Sequence, residues 1–277
     1  YNTNFFDLVT IKIVNNVLVI EVKENPIIQN IKYDGIKSSE ILQNLKKNVL
    51  LKSRSSFNEV LLDKDKKIIK KFLKDLGYYF SKIDISIEEL KDNKINLTYN
   101  ISLGEKAKIK KISFIGEKVF KDKKLKGVIL SEEYKPWKFL SGKKYLNESM
   151  IKYDERLLKN FYLNNGFYNV KINSVFAQLL DTGEFKLSFN IDSGDIYTIK
   201  NTNLIIPPDY KKENFEEVQK KLKKLQNNKY SFNKISRVVE EIDKVSLTKQ
   251  YEFINATIDE EIIDEKFINL TFEIVEW

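Results

Sequence analysis

Cysteine and histidine are both absent from the 277-residue sequence. Without thiols or imidazoles there is no disulfide framework, no usual zinc or copper ligand set and no nucleophile–imidazole pair. Any catalysis would rest on carboxylates, lysine or hydroxyls. The adjacent acidic pairs Glu88-Glu89, Glu132-Glu133, Glu216-Glu217, Glu240-Glu241 and Glu260-Glu261 do not supply it, because neighbours on a helix or strand point apart. No glycine-rich phosphate loop occurs. The expectation is a protein that is not an enzyme and needs no cofactor or metal. Long apolar runs are missing too: the densest, Val17 to Val22, is broken by Glu21, far short of the roughly 18 to 20 residues of a spanning helix. The chain opens on Tyr1 with no signal-peptide pattern and reads as an internal fragment.

Arginine is scarce. Arg54, Arg156 and Arg237 are the only arginines among 48 basic residues, so the net charge of +8 is carried by lysine interspersed with Asp and Glu. Nucleic-acid sites favour arginine for bidentate and stacking contacts, and solvated lysine faces are the better reading. A basic nucleic-acid-binding repeat is the rival from another class, and its mark would be salt-sensitive binding.

What is present is a foldable, repetitive chain. Hydrophobic residues make up 42% and aromatics 12%, enough for packed cores. Val22 to Gly35 aligns without gaps against Leu103 to Gly116, and Asp192 to Ile199 aligns against Ser102 to Ile109. Such offsets point to tandem domains of about 80 to 90 residues.

Each copy changes hydrophobic period in the same order. A short strand comes first: Ile31 to Tyr33, Ile112 to Phe114, and Asn203 to Ile206. A first helix follows, with Ile41, Leu42, Leu45 and Val49 on one face in the first copy and Phe215, Val218, Leu222 and Leu225 in the third. A second helix starts after the cap-type residues Asn58, Asn147 or Ser231. Its stripe is Leu61, Ile68, Ile69, Phe72 and Leu76 before Gly77, then Met150, Leu157, Leu158, Phe161 and Tyr162 before Gly166. A hairpin closes the unit: Ile83, Ile85 and Ile87 alternate with polar residues, then Ile95, Leu97, Tyr99 and Ile101 after the turn at Lys91 to Lys94. Its counterparts are Val170 to Leu179 with Phe185 to Ile191, and Ile254 to Ile262 with Phe267 to Val275. The expected fold is α+β, in tandem β-α-α-β-β repeats with two helices on a three-stranded mixed sheet. The expected boundaries are a truncated repeat supplying only its last hairpin (1–25), then whole repeats at 26–103, 104–193 and 194–277.

A unit of this order with Gly35 or Gly116 ending its first strand resembles the POTRA domain, and two further recurrent markers support it. These are Gly77-Tyr78 or Gly166-Phe167 after the second helix, and Leu103-Gly104-Glu105 or Ser193-Gly194-Asp195 after the last strand. Order-specific stretches sharpen the match: Phe5 to Ile11 with Leu18 to Pro26, Pro136 to Tyr145, and Phe161 to Tyr168 are similar to the end of the first domain and to the third domain of the outer-membrane protein assembly factors. The last copy departs from the pattern, with Pro207-Pro208 in place of the first-strand glycine and Gln250-Tyr251 in place of the Gly-aromatic step.

The resemblance implies a scaffold at the periplasmic face of the outer membrane, joined to the membrane through a C-terminal barrel that lies outside this chain. Its implied partners are unfolded outer-membrane proteins, accessory assembly lipoproteins and periplasmic chaperones. It also implies that the second strand is an exposed edge, able to add an extended segment by main-chain hydrogen bonds. The candidate edges are Lys82, Ile83, Asp84, Ile85, Ser86 and Ile87, and Val170, Lys171, Ile172, Asn173, Val175, Ala177 and Leu179, the last three as a docking site for a propeller-type lipoprotein. The alternative is an ordinary edge guarded by Lys82, Asp84 and Glu88 against aggregation. Short joins make Gly104, Glu105, Gly194 and Asp195 the expected hinges of an extended array. Trp137 and Phe139 are expected to fold back over their own helices as core. The POTRA arm of another outer-membrane transporter or insertase is the nearest competing assignment.

Overall fold

The computed structural model describes residues 5–138, 140–251 and 254–276. It opens on an antiparallel hairpin, β1 (Phe6–Val14) and β2 (Val17–Glu24). Asn15 and Asn16 both take left-handed φ, 51° and 60°, as a two-residue turn matched to strand twist requires.

Three β-α-α-β-β passages follow. The first is β3 (Ile27–Asp34), α1 (Ser39–Asn48), α2 (Glu59–Asp75), β4 (Lys82–Leu90) and β5 (Lys94–Ser102). The second is β6 (Ile109–Glu117), α3 (Asp122–Lys126), α4 (Glu148–Leu163), β7 (Lys171–Leu179) and β8 (Phe185–Asp192). The third is β9 (Thr198–Ile205), α5 (Glu216–Leu225), α6 (Phe232–Lys249), β10 (Ile254–Asp264) and β11 (Phe267–Glu276). Their sheets are ordered β3-β5-β4, β6-β8-β7 and β10-β11-β9. In the first and third, the last strand lies centrally, parallel to the first and antiparallel to the second. The architecture is the α+β fold expected from the periodicity, with mixed sheets. Among the described residues no helix is long and apolar enough to cross a membrane.

Packing divides the chain into two compact units, one of residues 1–109, 134–150 and 181–185, the other of 110–133, 151–180 and 186–277. In the first unit, Ile95, Leu97, Tyr99 and Ile101 alternate inward from β5 and meet Ile28, Leu45, Ile69 and Leu73. In the second, Ile268, Leu270, Phe272 and Ile274 of β11 meet Val218, Leu222, Ile235, Val238 and Ile242. Each such side chain, once buried, contributes about 1.5–3 kcal/mol. Asn58 and Asn147 cap α2 and α4, their side-chain oxygens accepting from Leu61 N at 3.0 Å and Met150 N at 2.8 Å. Ser231 makes no such cap bond, and its hydroxyl lies instead 3.3 Å from Asn164 Oδ1.

A feature absent from the sequence reading sits inside α2. Asp65 is fully buried, and its carboxylate accepts from Leu50 N (2.6 Å), Leu51 N (3.0 Å) and the Tyr99 hydroxyl (3.0 Å). It thereby ties helix, central strand and inter-helix loop together. Asp154 of α4 does the same for Leu130 N (2.6 Å) and Ser131 N (3.1 Å). Both lie seven residues after their capping asparagine. The residue seven after Ser231 is the buried Val238, where the shorter loop from Gln226 is tied by Asn228 Nδ2 to the carbonyls of Lys224 and Gln226.

Two expectations are corrected here. The first strand of the third repeat begins at Thr198, not near Asn203, because Thr198, Ile199 and Thr202 already pair in parallel with β11, with a register shift at Lys200 and Asn201. Trp137 is 71% exposed and does not fold back as core; a Lys135 ammonium lies 5.7 Å from its ring. Phe139 lies outside the described residues. The Gly-aromatic step is replaced functionally by Gln250, which adopts φ 56° and donates from its N–H to Ser246 O. A left-handed non-glycine residue costs about 1 kcal/mol, so Gln250→Gly is expected to raise stability by about that amount in urea unfolding; an unchanged or lower midpoint would contradict it.

Candidate strand-addition edges

Every three-stranded sheet has two outer strands, and here they differ. The outer side of β3 is occupied at its start by the coil before α2: Ile28 N donates to Ser55 O, Arg54 N to Ile28 O and Phe57 N to Pro26 O, at 2.7–2.9 Å. The start of the second repeat is closed likewise, by Leu146 N to Ala107 O (2.7 Å) and Tyr134 N to Ile109 O (2.6 Å). In the third, Ile199 N donates to Asn228 O, Asn227 N to Ile199 O and Tyr230 N to Tyr197 O, at 2.7–2.9 Å. Among the described residues, 82–90, 171–179 and 254–264 make no backbone hydrogen bond outside their own sheet. The second strand of each repeat therefore carries an edge that is unpaired along its length, whereas the first strand is closed at its start.

On β4, Lys82 to Leu90 pair with β5 without a bulge. Ile83 and Ile85 pack on the core, whereas Lys82, Asp84, Ser86 and Ile87 alternate with them or extend beyond them as exposed or partly exposed positions. The edge is charged at Lys82, Asp84, Glu88 and Glu89. Behind it, burial beside Asp65 pushes the Tyr99 phenol well above its ordinary pKa and Tyr33, stacked on it at 5.1 Å, to about 12.

The β7 edge is chemically different. The strand starts at Lys171, so Val170 precedes it and is only 4% exposed. Ile172 and Val175 are half-buried; Asn173, Ala177 and Leu179 are exposed. From Ile172 to Leu179 there is no charged side chain. Phe176, 45% exposed, belongs to this surface and was not among the expected residues. Its signal was available: an aromatic at an outward position of an uncharged strand. The β10 edge of the third repeat is also unpaired and carries Asp259, Glu260, Glu261 and Asp264.

Gly104 and Gly194 take φ 67° and 62°, each at the exit of a central strand and followed by Glu105 and Asp195. Close by, the same backbone tie recurs once in each unit. Ala107 N donates to Gly77 O (2.8 Å), and Tyr197 N to Gly166 O (2.9 Å). Around the first tie, Lys74 pairs with Glu148 at 2.8 Å, Ser149 donates to Asp75 at 2.9 Å, Asn147 donates to Asp75 O, and Lys106 lies between the rings of Tyr78 and Tyr145. Around the second, Asn233 N donates to Asn164 Oδ1 at 2.8 Å and Asn169 to the Tyr197 hydroxyl at 2.7 Å.

Residues 26–104 and 107–194 match the family model of POTRA, the surface antigen variable number repeat. The chain belongs to the POTRA family. Among curated proteins it is similar to the outer membrane protein assembly factor BamA of Buchnera aphidicola, 27% identical over 206 residues that cover 73% of this chain and 33% of that protein. BamA of Neisseria meningitidis serogroup B is 29% identical over 174 residues, covering 62% of this chain and 22% of that protein. The chain thus spans a third or less of the length of these two relatives. The crystal structure of Haemophilus influenzae BamA POTRA3-5 superposes with a TM-score of 0.52 at 14% identity, covering 91% of this chain and 96% of that one. That likeness places the tandem fold among POTRA arrays.

Proposed function

We propose that this chain is the periplasmic scaffold of an outer-membrane protein assembly factor, that its repeats are 26–103, 104–193 and 194–277, and that it receives unfolded β-barrel clients by strand addition at its second-strand edges. One observation carries the reading: in a POTRA array similar to BamA, the first strands are closed at their start while the second strands keep an unpaired edge, and on β7 that edge is uncharged from Ile172 to Leu179. Backbone hydrogen bonds supply affinity with little sequence demand, which suits a receptor of many extended clients. The same strand, through Val175, Phe176, Ala177 and Leu179, offers an apolar surface to an accessory lipoprotein. The joins at Gly104-Glu105 and Gly194-Asp195 allow limited movement, because the ties at Gly77 and Gly166 sit beside them.

The test uses fluorescence anisotropy with a labelled peptide from the last strand of an outer-membrane β-barrel. Phe176→Lys combined with Ala177→Lys places two charges on the edge and is expected to weaken binding about tenfold or more while leaving the melting temperature nearly unchanged. Undiminished binding would sink the β7 edge. A pull-down with the accessory lipoprotein, using charge substitutions at Ala177 and Leu179, tests the docking site in the same way: retained capture rules it out.

A further inference from the structure

Beside the β4 edge lies a groove of about 420 Å³ lined by Lys66, Lys67 and Lys70 of α2 together with Ser81, Lys82, Ile83 and Asp84. Four ammonium groups and one carboxylate border this one space. Only Lys66 has an acidic partner, Asp63 at 3.5 Å on its own helix, and Lys67, Lys70 and Lys82 make no ion pair among the described residues. Elsewhere in this lysine-rich chain, positive charge is interleaved with acidic partners, as in Lys12 with Glu21, Lys74 with Glu148 and Lys221 with Glu241. Here it is concentrated and left unbalanced.

A second observation stands apart from charge. Ser81 is 4% exposed, and its hydroxyl is one of two buried side-chain oxygens among the described residues that have no hydrogen-bond partner. A buried hydroxyl without a partner carries a desolvation cost. It lies at the residue where the chain enters β4, so the groove and the open edge share one end of the strand.

We infer that this groove receives the carboxylate of an extended peptide added along β4. The inference rests on the strand-addition reading above and gives it a chemical preference. A strand pairing with β4 uses its main chain along Lys82 to Ile87, and its carboxylate reaches Lys66, Lys67 and Lys70 at the start of the strand through charge-assisted hydrogen bonds. The carboxylate has two possible sources, the end of the client chain or an Asp or Glu side chain. A terminal carboxylate at the beginning of β4 requires the guest to run antiparallel to it, so the groove also selects direction. Asp84, which borders the same space, repels a carboxylate placed too far along the strand.

The experiment measures four fluorescein-labelled nine-residue peptides of one alternating apolar sequence against the whole chain: free acid, C-terminal amide, amide with one internal Asp, and amide with Asn at that position. The free acid or the Asp peptide is expected to bind about five- to tenfold more tightly than its neutral counterpart, and which of the two does so identifies the source. Lys66→Gln with Lys70→Gln keeps helix propensity and removes two charges; it is expected to erase that difference while leaving the affinity of the neutral amide unchanged. Hydrogen exchange at the amides of 82–87 locates the peptide. If β4 is protected but charge makes no difference, the carboxylate inference fails and strand addition stands. If no peptide protects β4, both fail for this edge. Inorganic phosphate or anionic phosphatidylglycerol vesicles that displace the peptide as effectively as free acid would overturn the assignment to an extended peptide.

Discussion

Asp65→Ala is expected to destabilise the first unit by about 3–5 kcal/mol, because it leaves three donors, two of them buried, without an acceptor. Leu50 N, Leu51 N and the Tyr99 hydroxyl all converge on this one carboxylate, which is fully buried. The loss falls where the inter-helix loop leaves α1 to reach the outer side of β3, so the local closure of that strand loosens as well. Urea unfolding followed by circular dichroism measures the effect. Asp63→Ala, two residues earlier on an exposed face, should change stability by less than about 0.5 kcal/mol. Tyr99→Phe removes one of the three donors and its acceptor need together, and about 1–2 kcal/mol is expected. Equal behaviour of Asp63→Ala and Asp65→Ala would show that the clamp contributes nothing.

Gly35→Ala is expected to cost about 3 kcal/mol or more through a different mechanism. Gly35 ends β3 with φ +93°, a conformation disfavoured for any residue bearing a Cβ. The added methyl would sit 1.7 Å from the Ile101 carbonyl oxygen, so the last residues of β3 and β5 would have to separate. Neighbouring backbone has no flexible side chain that can move aside. Gly104→Ala provides the contrast: φ there is +67°, but the nearest atom to the new methyl is Phe80 Cβ at 3.8 Å, and about 1 kcal/mol is expected. A smaller loss at Gly35 than at Gly104, read from paired unfolding curves, would refute the close-approach argument. Gly116 repeats the geometry, with Ile191 O at 2.4 Å.

Strand and helix order was legible wherever one face of an element is buried, since period 2 and period 3.6 are then written directly into the residues. Ile95, Leu97, Tyr99 and Ile101 are the clearest case, all of them buried as the alternation required. Three features escaped for identifiable reasons. Closure of the first strand is made by Arg54 to Phe57 and by Asn227 to Tyr230, coil segments with no period. The start of β9 was missed because the polar run Lys200-Asn201-Thr202 interrupts the apolar alternation, whereas pairing with β11 begins before it, at Thr198. Asp65 and Asp154 are not among the apolar stripe residues, yet each lies four residues before a buried stripe residue, Ile69 or Leu158. An acidic residue recurring at a stripe position, seven after the cap in two copies, was the available signal. Of the candidate site, the strands themselves could be placed from pattern and resemblance, whereas Phe176 and the lysine groove depend on which side of the strand faces outward.

The tie from Ala107 to the Gly77 carbonyl, with Glu148 and Asn147 beyond it, has a practical meaning for dissecting the molecule. A fragment cut at residue 103 would look complete by element order, yet it would discard the donor that satisfies Gly77, the counter-ion of Lys74 and the amide held on Asp75. The end of α2 would be left frayed, with Tyr78 uncovered on the side where Lys106 now lies. Sequence periodicity marks where one repeat is copied from the next, but the smallest self-sufficient piece borrows its final turn from its successor, so a terminal repeat needs a substitute for that missing neighbour.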